Sequence, residues 1–279
     1  MSTTTPGGSN EVERRRWNDL YWTSVWPRRE ELTDAVTSKL LEHLELGSGE
    51  RVLDVGSGGG KASFAAAEIV GPKGSVLGAD ISEPLAEFAR ARASERGIDN
   101  VRFVVADVQH DHLPGAPFDV AMSQFGVMFF DEPLKAFANI ARHVLDGGRL
   151  GFACWRPMAA NPWHIGHVTS AFLPPPAPPA RGKQLAGPFS LGDPRKTTEL
   201  LRDAGWTAVQ CTPYEQLVNV ARDAIVDEGQ LAFMGVPEAR LPAAQAAVEE
   251  LLGQFATSDG RFDIPLAFQI VTASKPLPQ

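Results

Sequence analysis

Residues 52–60 read VLDVGSGGG, an apolar strand that meets an acid and opens into a run of glycines. Asp54, Gly56, Gly58 and Gly60 take the spacing D-x-G-x-G-x-G. A backbone that turns sharply from strand to helix and comes close to a ligand needs positions without Cβ atoms. Alone, the turn marks a nucleotide-type ligand without saying which. The dinucleotide fingerprint G-x-G-x-x-G fails here, because Lys61 stands three residues after Gly58 and Ser63 three after Gly60. Asp54, ahead of the first glycine, suits a ligand with a cationic end better than a pyrophosphate.

Outward from the turn, strands and helices alternate. Strands are expected at Arg51 to Val55, Ser75 to Ala79, Val101 to Val105, Phe118 to Ser123 and Arg149 to Trp155, with helices at Lys61 to Val70, Glu83 to Arg96 and Glu132 to Leu145. That order implies right-handed crossovers and a parallel sheet. Ser82, Asp131 and Asp193 each precede a first-turn proline and are read as N-caps. A helix from Pro194 to Ala204, strands at Thr207 to Tyr214 and Ala267 to Ala273, and Ala-, Glu- and Leu-rich helices over about 221–256 complete the C-terminal part. The chain divides into a disordered tail (1–12), an N-terminal helical cap (13–46), a core (47–157), a Pro-rich lid or linker (158–193) containing LPPPAPPA at 173–180, and the C-terminal part of the core (194–279).

Two more acids follow strand ends, where ligands bind in open α/β sheets. Asp80 lies about twenty residues past the glycines, where a carboxylate accepts ribose hydroxyls. Asp107 follows the third strand and is placed to accept from an adenine amino group, with the Val108 N–H beside it. Each acid alone reads as a solvated loop residue. Three in register at successive strand ends do not.

The stretches VLDVGSGGG, GADISEPLAEFARARA, VRFVVADVQ, FDVAMSQFGVMFF and IARHVLDGGRL together resemble the class I S-adenosylmethionine-dependent methyltransferase domain, especially the subgroup like ubiquinone and menaquinone C-methyltransferases. The resemblance implies a Rossmann-like three-layer α/β sandwich with a seven-stranded, mostly parallel sheet ordered 3-2-1-4-5-7-6 and an antiparallel last strand. It implies S-adenosylmethionine as cofactor, S-adenosylhomocysteine as product and no metal. Carried over by position, Asp54, Gly56, Ser57, Gly58 and Gly60 line the methionine moiety and the turn, Asp80 the ribose, Ile81 and Leu85 the adenine face, Asp107 and Val108 its edge, and Gln124 and Phe125 the sulfonium. On this sheet order Cys154 and Cys211 are separated by the last strand, nearly 10 Å at about 4.8 Å per strand, beyond disulfide reach.

The acceptor is less legible. Trp22 and Trp26, four apart on one helix face, are expected with Tyr21, Phe129, Trp155 and Trp163 to line an apolar pocket, helix-to-sheet packing being the competing account. Where relatives place a His after the fourth strand, this chain has Met128 and Phe129. His164 and Tyr21 are the remaining candidates for a catalytic group, with proximity catalysis the alternative. His110 and His112 read as solvated loop residues, and Arg28 and Arg29 as surface charges.

Composition bounds the partners. A chain of 279 residues, 43% hydrophobic, can bury one large core. A formal charge of −8 disfavours nucleic acid, which draws clustered Lys and Arg. The acidic or polar start and the lack of a long apolar run predict neither a secretory signal nor a membrane span. Two cysteines predict reduced thiols in a cytoplasm. The expectation is thus a monomeric or homodimeric methyltransferase of small molecules, methylating O, C or N, in secondary metabolism or quinone-like chemistry. A protein methyltransferase and an S-adenosylmethionine-binding protein with other chemistry stay open.

Overall fold

The computed structural model describes residues 10–174, 186–227 and 229–278. Most of the expected tail, and the Pro-rich stretch from Pro175 onward, lie outside the described residues. Seven strands among them, β1 (Arg51–Val55), β2 (Ser75–Asp80), β3 (Val101–Val105), β4 (Phe118–Gln124), β5 (Val144–Trp155), β6 (Thr207–Val220) and β7 (Phe262–Ser274), form one sheet. Its order is β3-β2-β1-β4-β5-β7-β6, with β7 antiparallel to both neighbours. Helices α1 (Glu11–Trp17) and α2 (Tyr21–Leu44) precede β1, α3 (Lys61–Val70) and α4 (Glu83–Arg96) follow β1 and β2, and α5 (Pro133–His143) joins β4 to β5. After β5 come α6 (Gly166–Thr169) and α7 (Pro194–Asp203). Between β6 and β7 lie α8 (Arg222–Ile225), α9 (Gln230–Phe233) and α10 (Leu241–Gly253), the expected helical insertion.

The cap is built by one apolar stripe. Leu32, Val36, Leu40 and Leu44 recur every fourth residue of α2 and are all buried. Each such burial contributes about 1.5–3 kcal/mol. The stripe lies so tightly on β5 that a Cβ on Gly151 would stand 2.5 Å from Leu44. The helical cap expected over 13–46 consists of two helices, broken at 18–20, because Asn18 is the C-cap of α1 and Asp19 accepts the Tyr21 N–H at 2.9 Å.

Two of the three expected caps hold. Ser82 accepts from the Leu85 N–H, and Asp193 from those of Arg195 and Lys196. Asp131 does not cap α5; Glu132 takes that position without a side-chain bond, and Asp131 accepts the Asn10 N–H instead. The α5 helix also stops two residues early. Val144 pairs with Phe118, so β5 starts there and absorbs Gly147 and Gly148 in an irregular stretch before Arg149. Strands β6 and β7 run well beyond the expected limits, paired from Val220↔Phe262 to Thr207↔Ser274. Pro265 hid the early start of β7, since proline reads as a strand breaker. Cys154 pairs with Gln269 and Cys211 with Val271, so β7 does separate the two thiols, and both are free.

Candidate active site

The carboxyl ends of β1 to β5 open into one cavity of about 310 Å³, roofed by α1 and α2. Its floor is the glycine turn. Gly56 and Gly58 hold φ of +69° and +52°, and a Cβ on Gly56 would stand 2.8 Å from the Gly126 Cα. The turns after β1 and β4 therefore touch backbone to backbone. Ser123 ties them: its hydroxyl donates to the Val55 carbonyl at 2.6 Å and accepts the Gly126 and Val127 N–H groups. Between them Phe125 is forced to φ +62°, a conformation that non-glycine residues adopt only when the surroundings impose it. Its ring stacks on Trp155 at 4.2 Å.

The three acids face this cavity in different states. Asp54 is fully buried; Ser63 Oγ donates to its Oδ2 at 2.5 Å, while Oδ1 and Ser57 Oγ have no hydrogen-bond partner among the described residues. Burial, with a smaller push from the charge of Asp80, raises the Asp54 carboxyl to about 7. Asp80 accepts the Gly58 N–H at 2.7 Å and the Ser82 N–H at 2.9 Å. Burial raises its carboxyl while those amides oppose the shift. Asp107 accepts the Gln109 N–H at 3.1 Å, and burial also raises it. Asn139 clamps this loop through the carbonyls of Val108 and Asp111.

Of the residues expected at the site, Asp54, Gly56, Ser57, Asp80, Ile81, Leu85, Asp107, Val108, Gln124 and Phe125 line the cavity, as do Trp22, Trp26, Phe129 and Trp155. Gln124 is held by the cap: Thr37 donates to its Oε1 at 2.7 Å and its Nε2 donates to the Thr33 carbonyl. Gly58 and Gly60 do not line it. Cβ atoms there would meet Trp26 at 2.1 Å and the rings of Phe103 and Phe64 at 2.8 Å, so these glycines serve packing beneath the turn and the close seat of the cap. Gly59, an unassigned position of the motif, is equally filled, with the Trp26 indole 2.5 Å from its notional Cβ. Trp26 donates to Glu30, which pairs with Arg92, and Arg92 donates to the Gly59 carbonyl.

Tyr21, Trp163 and His164 do not line the cavity. The Tyr21 hydroxyl donates to Asp227 at 2.5 Å and its ring stacks on Phe233. Burial and that hydrogen bond push its ionisation up to about 12, the reverse of what a base needs. His164 lies between Trp163 and Phe189, accepts the Gly166 N–H at Nδ1, and burial lowers it to about 4. Arg29 is no surface charge. It lines the cavity and binds Asp227, Gln230 and the carbonyls of Ala224 and Ile225, locking α2 to the insertion. Asn10, Glu13, Trp17 and Lys61 also line the cavity and were not anticipated. For Trp17 the four-residue spacing to Tyr21 was the available signal, but the helix break hides which side each faces.

Residues 52–148 match the family described as methyltransferase domain. The chain is 33% identical over 183 residues to nocamycin O-methyltransferase of Saccharothrix syringae, covering 63% of this chain and 65% of that one. Residues 52–148 thus carry a methyltransferase domain. A second methyltransferase, aklanonic acid methyltransferase of Streptomyces sp. (strain C5), is 40% identical over 114 residues, covering 41% of this chain and 52% of that one. The alignments thus span less than two thirds of either relative. Among solved structures, the YcgJ protein of Bacillus subtilis superposes with a TM-score of 0.60 at 18% identity, covering 87% of this chain and 98% of that one. That likeness shows a shared fold. Among the described residues, no helix is long and apolar enough to cross a membrane.

The methyltransferase cofactor fits the cavity on two observations of this chain. Asp54 Oδ1 and Ser57 Oγ are buried polar atoms awaiting a partner, one an acceptor for an ammonium and the other a donor for a carboxylate. The close approach at Gly56 and Gly126 leaves backbone where side chains would fill the space. An ammonium beside Asp54 requires its carboxylate form. Affinity for S-adenosylhomocysteine is therefore expected to fall by up to about tenfold per pH unit below 7. Calorimetry in two buffers of different ionisation enthalpy at pH 6 should show proton release. The ligand-free protein has the opposite dependence: its folded-state carboxyl titrates above the unfolded one, so stability falls as pH rises from about 4 to about 7.

Proposed function

We propose that this protein transfers a methyl group from S-adenosylmethionine to a small, largely apolar or aromatic acceptor, at oxygen, carbon or nitrogen. The observation that carries this reading is that one cavity combines two chemistries. Acids at the ends of β1, β2 and β3 and the apolar side chains of Phe125, Met128, Phe129, Phe130 and Trp155 all line it. The names of the relatives, methyltransferases of nocamycin and aklanonic acid, support a small acceptor and a place in secondary metabolism.

When bound, S-adenosylmethionine supplies an electrophilic methyl on a sulfonium. The chain's part is to hold the acceptor against it. Asp80 and Asp107 offer oxygens for ribose and adenine, Asp54 and Ser57 for the methionine end. Phe125 and Trp155, stacked and fixed by the strained β4 turn, form a flat apolar wall for a planar acceptor. Trp17, Trp22 and Trp26 line the cavity from the cap, on the side where a bound acceptor would be screened from water. Such positioning supplies roughly 7–11 kcal/mol of barrier lowering. This reading rests on proximity and not on a base, and neither His164 nor Tyr21 is among the residues lining the cavity.

Calorimetry with S-adenosylmethionine, S-adenosylhomocysteine and NAD tests the cofactor, and binding of NAD alone would defeat the reading. An acceptor screen with S-adenosylhomocysteine release as readout tests the reaction. Turnover on none of the phenols, enols, carboxylic acids, amines or peptides would leave a binding module. For any acceptor found, Trp155→Phe is expected to raise KM by about tenfold through the narrowed wall, with S-adenosylhomocysteine affinity within twofold of the original.

A further inference from the structure

The glycine turn and the strand-end acids account for one side of the cavity, and α1 forms another that no motif uses. This short helix lies across the end where Asp107 and Val108 sit. At its start the Asn10 N–H donates to Asp131 Oδ2 at 3.1 Å, one residue before Glu132, whose N–H donates to Gln109 Oε1. At its finish the Trp17 carbonyl accepts from Ser82 Oγ at 2.7 Å. The helix thus spans from the β4–α5 loop, which Gln109 ties to the loop of Asp107, to the loop behind Asp80. Two of its polar side chains line the cavity while more than nine-tenths buried, Asn10 at 8% and Glu13 at 7% exposure. Asn10 Oδ1 has no hydrogen-bond partner among the described residues. Glu13 accepts from Trp17 Nε1 at 3.0 Å and stands 3.9 Å from Arg16, both at Oε2, so neither contact uses Oε1.

We propose that Asn10 and Glu13 are specificity-determining residues that read a 6-aminopurine from the side opposite the sheet. The inference rests on the S-adenosylmethionine reading above. An exocyclic amino group offers two N–H donors, and Asp107 approaches it from the β3 loop alone. Asn10 and Glu13 add acceptors from the cap, so the base is enclosed by oxygens. A 6-oxo purine would turn lone pairs towards those oxygens, a mismatch that buried polar groups reject strongly.

The test compares dissociation constants of S-adenosyl-L-homocysteine and S-inosyl-L-homocysteine, by calorimetry on the full chain. The inosyl ligand is expected to bind the unaltered protein at least about a hundredfold more weakly. Glu13→Gln keeps the side chain's shape and the acceptor for Trp17, and replaces the remaining oxygen by a donor. It should narrow that ratio at least about tenfold, and Asn10→Ala about threefold, as expected when one acceptor among several is lost. Weakening of both ligands by the same factor in both variants would make these residues structural and overturn the proposal. Because it is read as a ratio, a loss of stability alone does not imitate the expected result. Should the unaltered chain bind neither ligand, the cofactor reading falls and takes this inference with it. If it binds the adenosyl ligand and the ratio stays fixed in both variants, this inference falls alone.

Discussion

Replacing Asp80 by alanine is expected to weaken S-adenosylhomocysteine binding by about a hundredfold, because one carboxylate does two jobs. It accepts the Gly58 and Ser82 N–H groups, which fixes the glycine turn against the start of α4. It also presents the oxygens proposed for the ribose. Without it, two amides lose their acceptor, at about 1–3 kcal/mol each where water cannot enter. The lost ligand bonds come on top, at about 1.5–3 kcal/mol for a charged acceptor. Melting temperature should fall by about 5–10 °C. Asp80→Asn separates the two jobs, since its carbonyl oxygen retains one amide bond: most of the stability returns, while binding stays impaired. Unchanged affinity in Asp80→Ala would show that the ribose assignment is wrong.

Gly56→Ala is expected to abolish measurable cofactor binding, through geometry alone. The position holds φ +69°, which costs an L-residue about 1–2 kcal/mol. The new methyl would also stand 2.8 Å from the Gly126 Cα, and backbone on both sides leaves nothing to swing away. The turns after β1 and β4 must then separate, breaking the bonds that Gly56 and Ser57 make to the Ala79 carbonyl. Gly97→Ala is the control. Gly97 closes α4 at φ +62° with open space around its notional Cβ. It should lose about 1 kcal/mol of stability and leave affinity unchanged. Equal binding losses in both variants would mean that backbone strain, and not the contact between turns, governs the site.

What the sequence announced and what it hid divide along a physical line. The sheet core was legible because buried strands and amphipathic helices carry periodic apolar patterns, and because Asp54, Asp80 and Asp107 interrupt them where each strand ends. Ten residues assigned to the cofactor line the cavity for that reason. The cap was less legible. Its helix α1 is too short and polar to show a period, so Asn10 and Glu13 carried no signal of their burial. Tyr21 and Trp22 are adjacent in sequence, yet Tyr21 turns to Asp227 and Trp22 to the cavity. Arg29 looked like a surface charge because its partners lie some two hundred residues away in the insertion. Contacts of that range depend on how the chain packs, which local spacing does not encode.

The seat of Trp26 on Gly58 and Gly59 bears on how this fold can be recombined. The cap and the turn are a matched pair, clasped by an indole that needs bare backbone beneath it and by the Glu30–Arg92 pair fastened to the Gly59 carbonyl. Grafting a foreign acceptor-binding cap onto this core, or this cap onto a core with a side chain at either glycine, would join surfaces that do not mate. A working chimera has to inherit both halves from one parent.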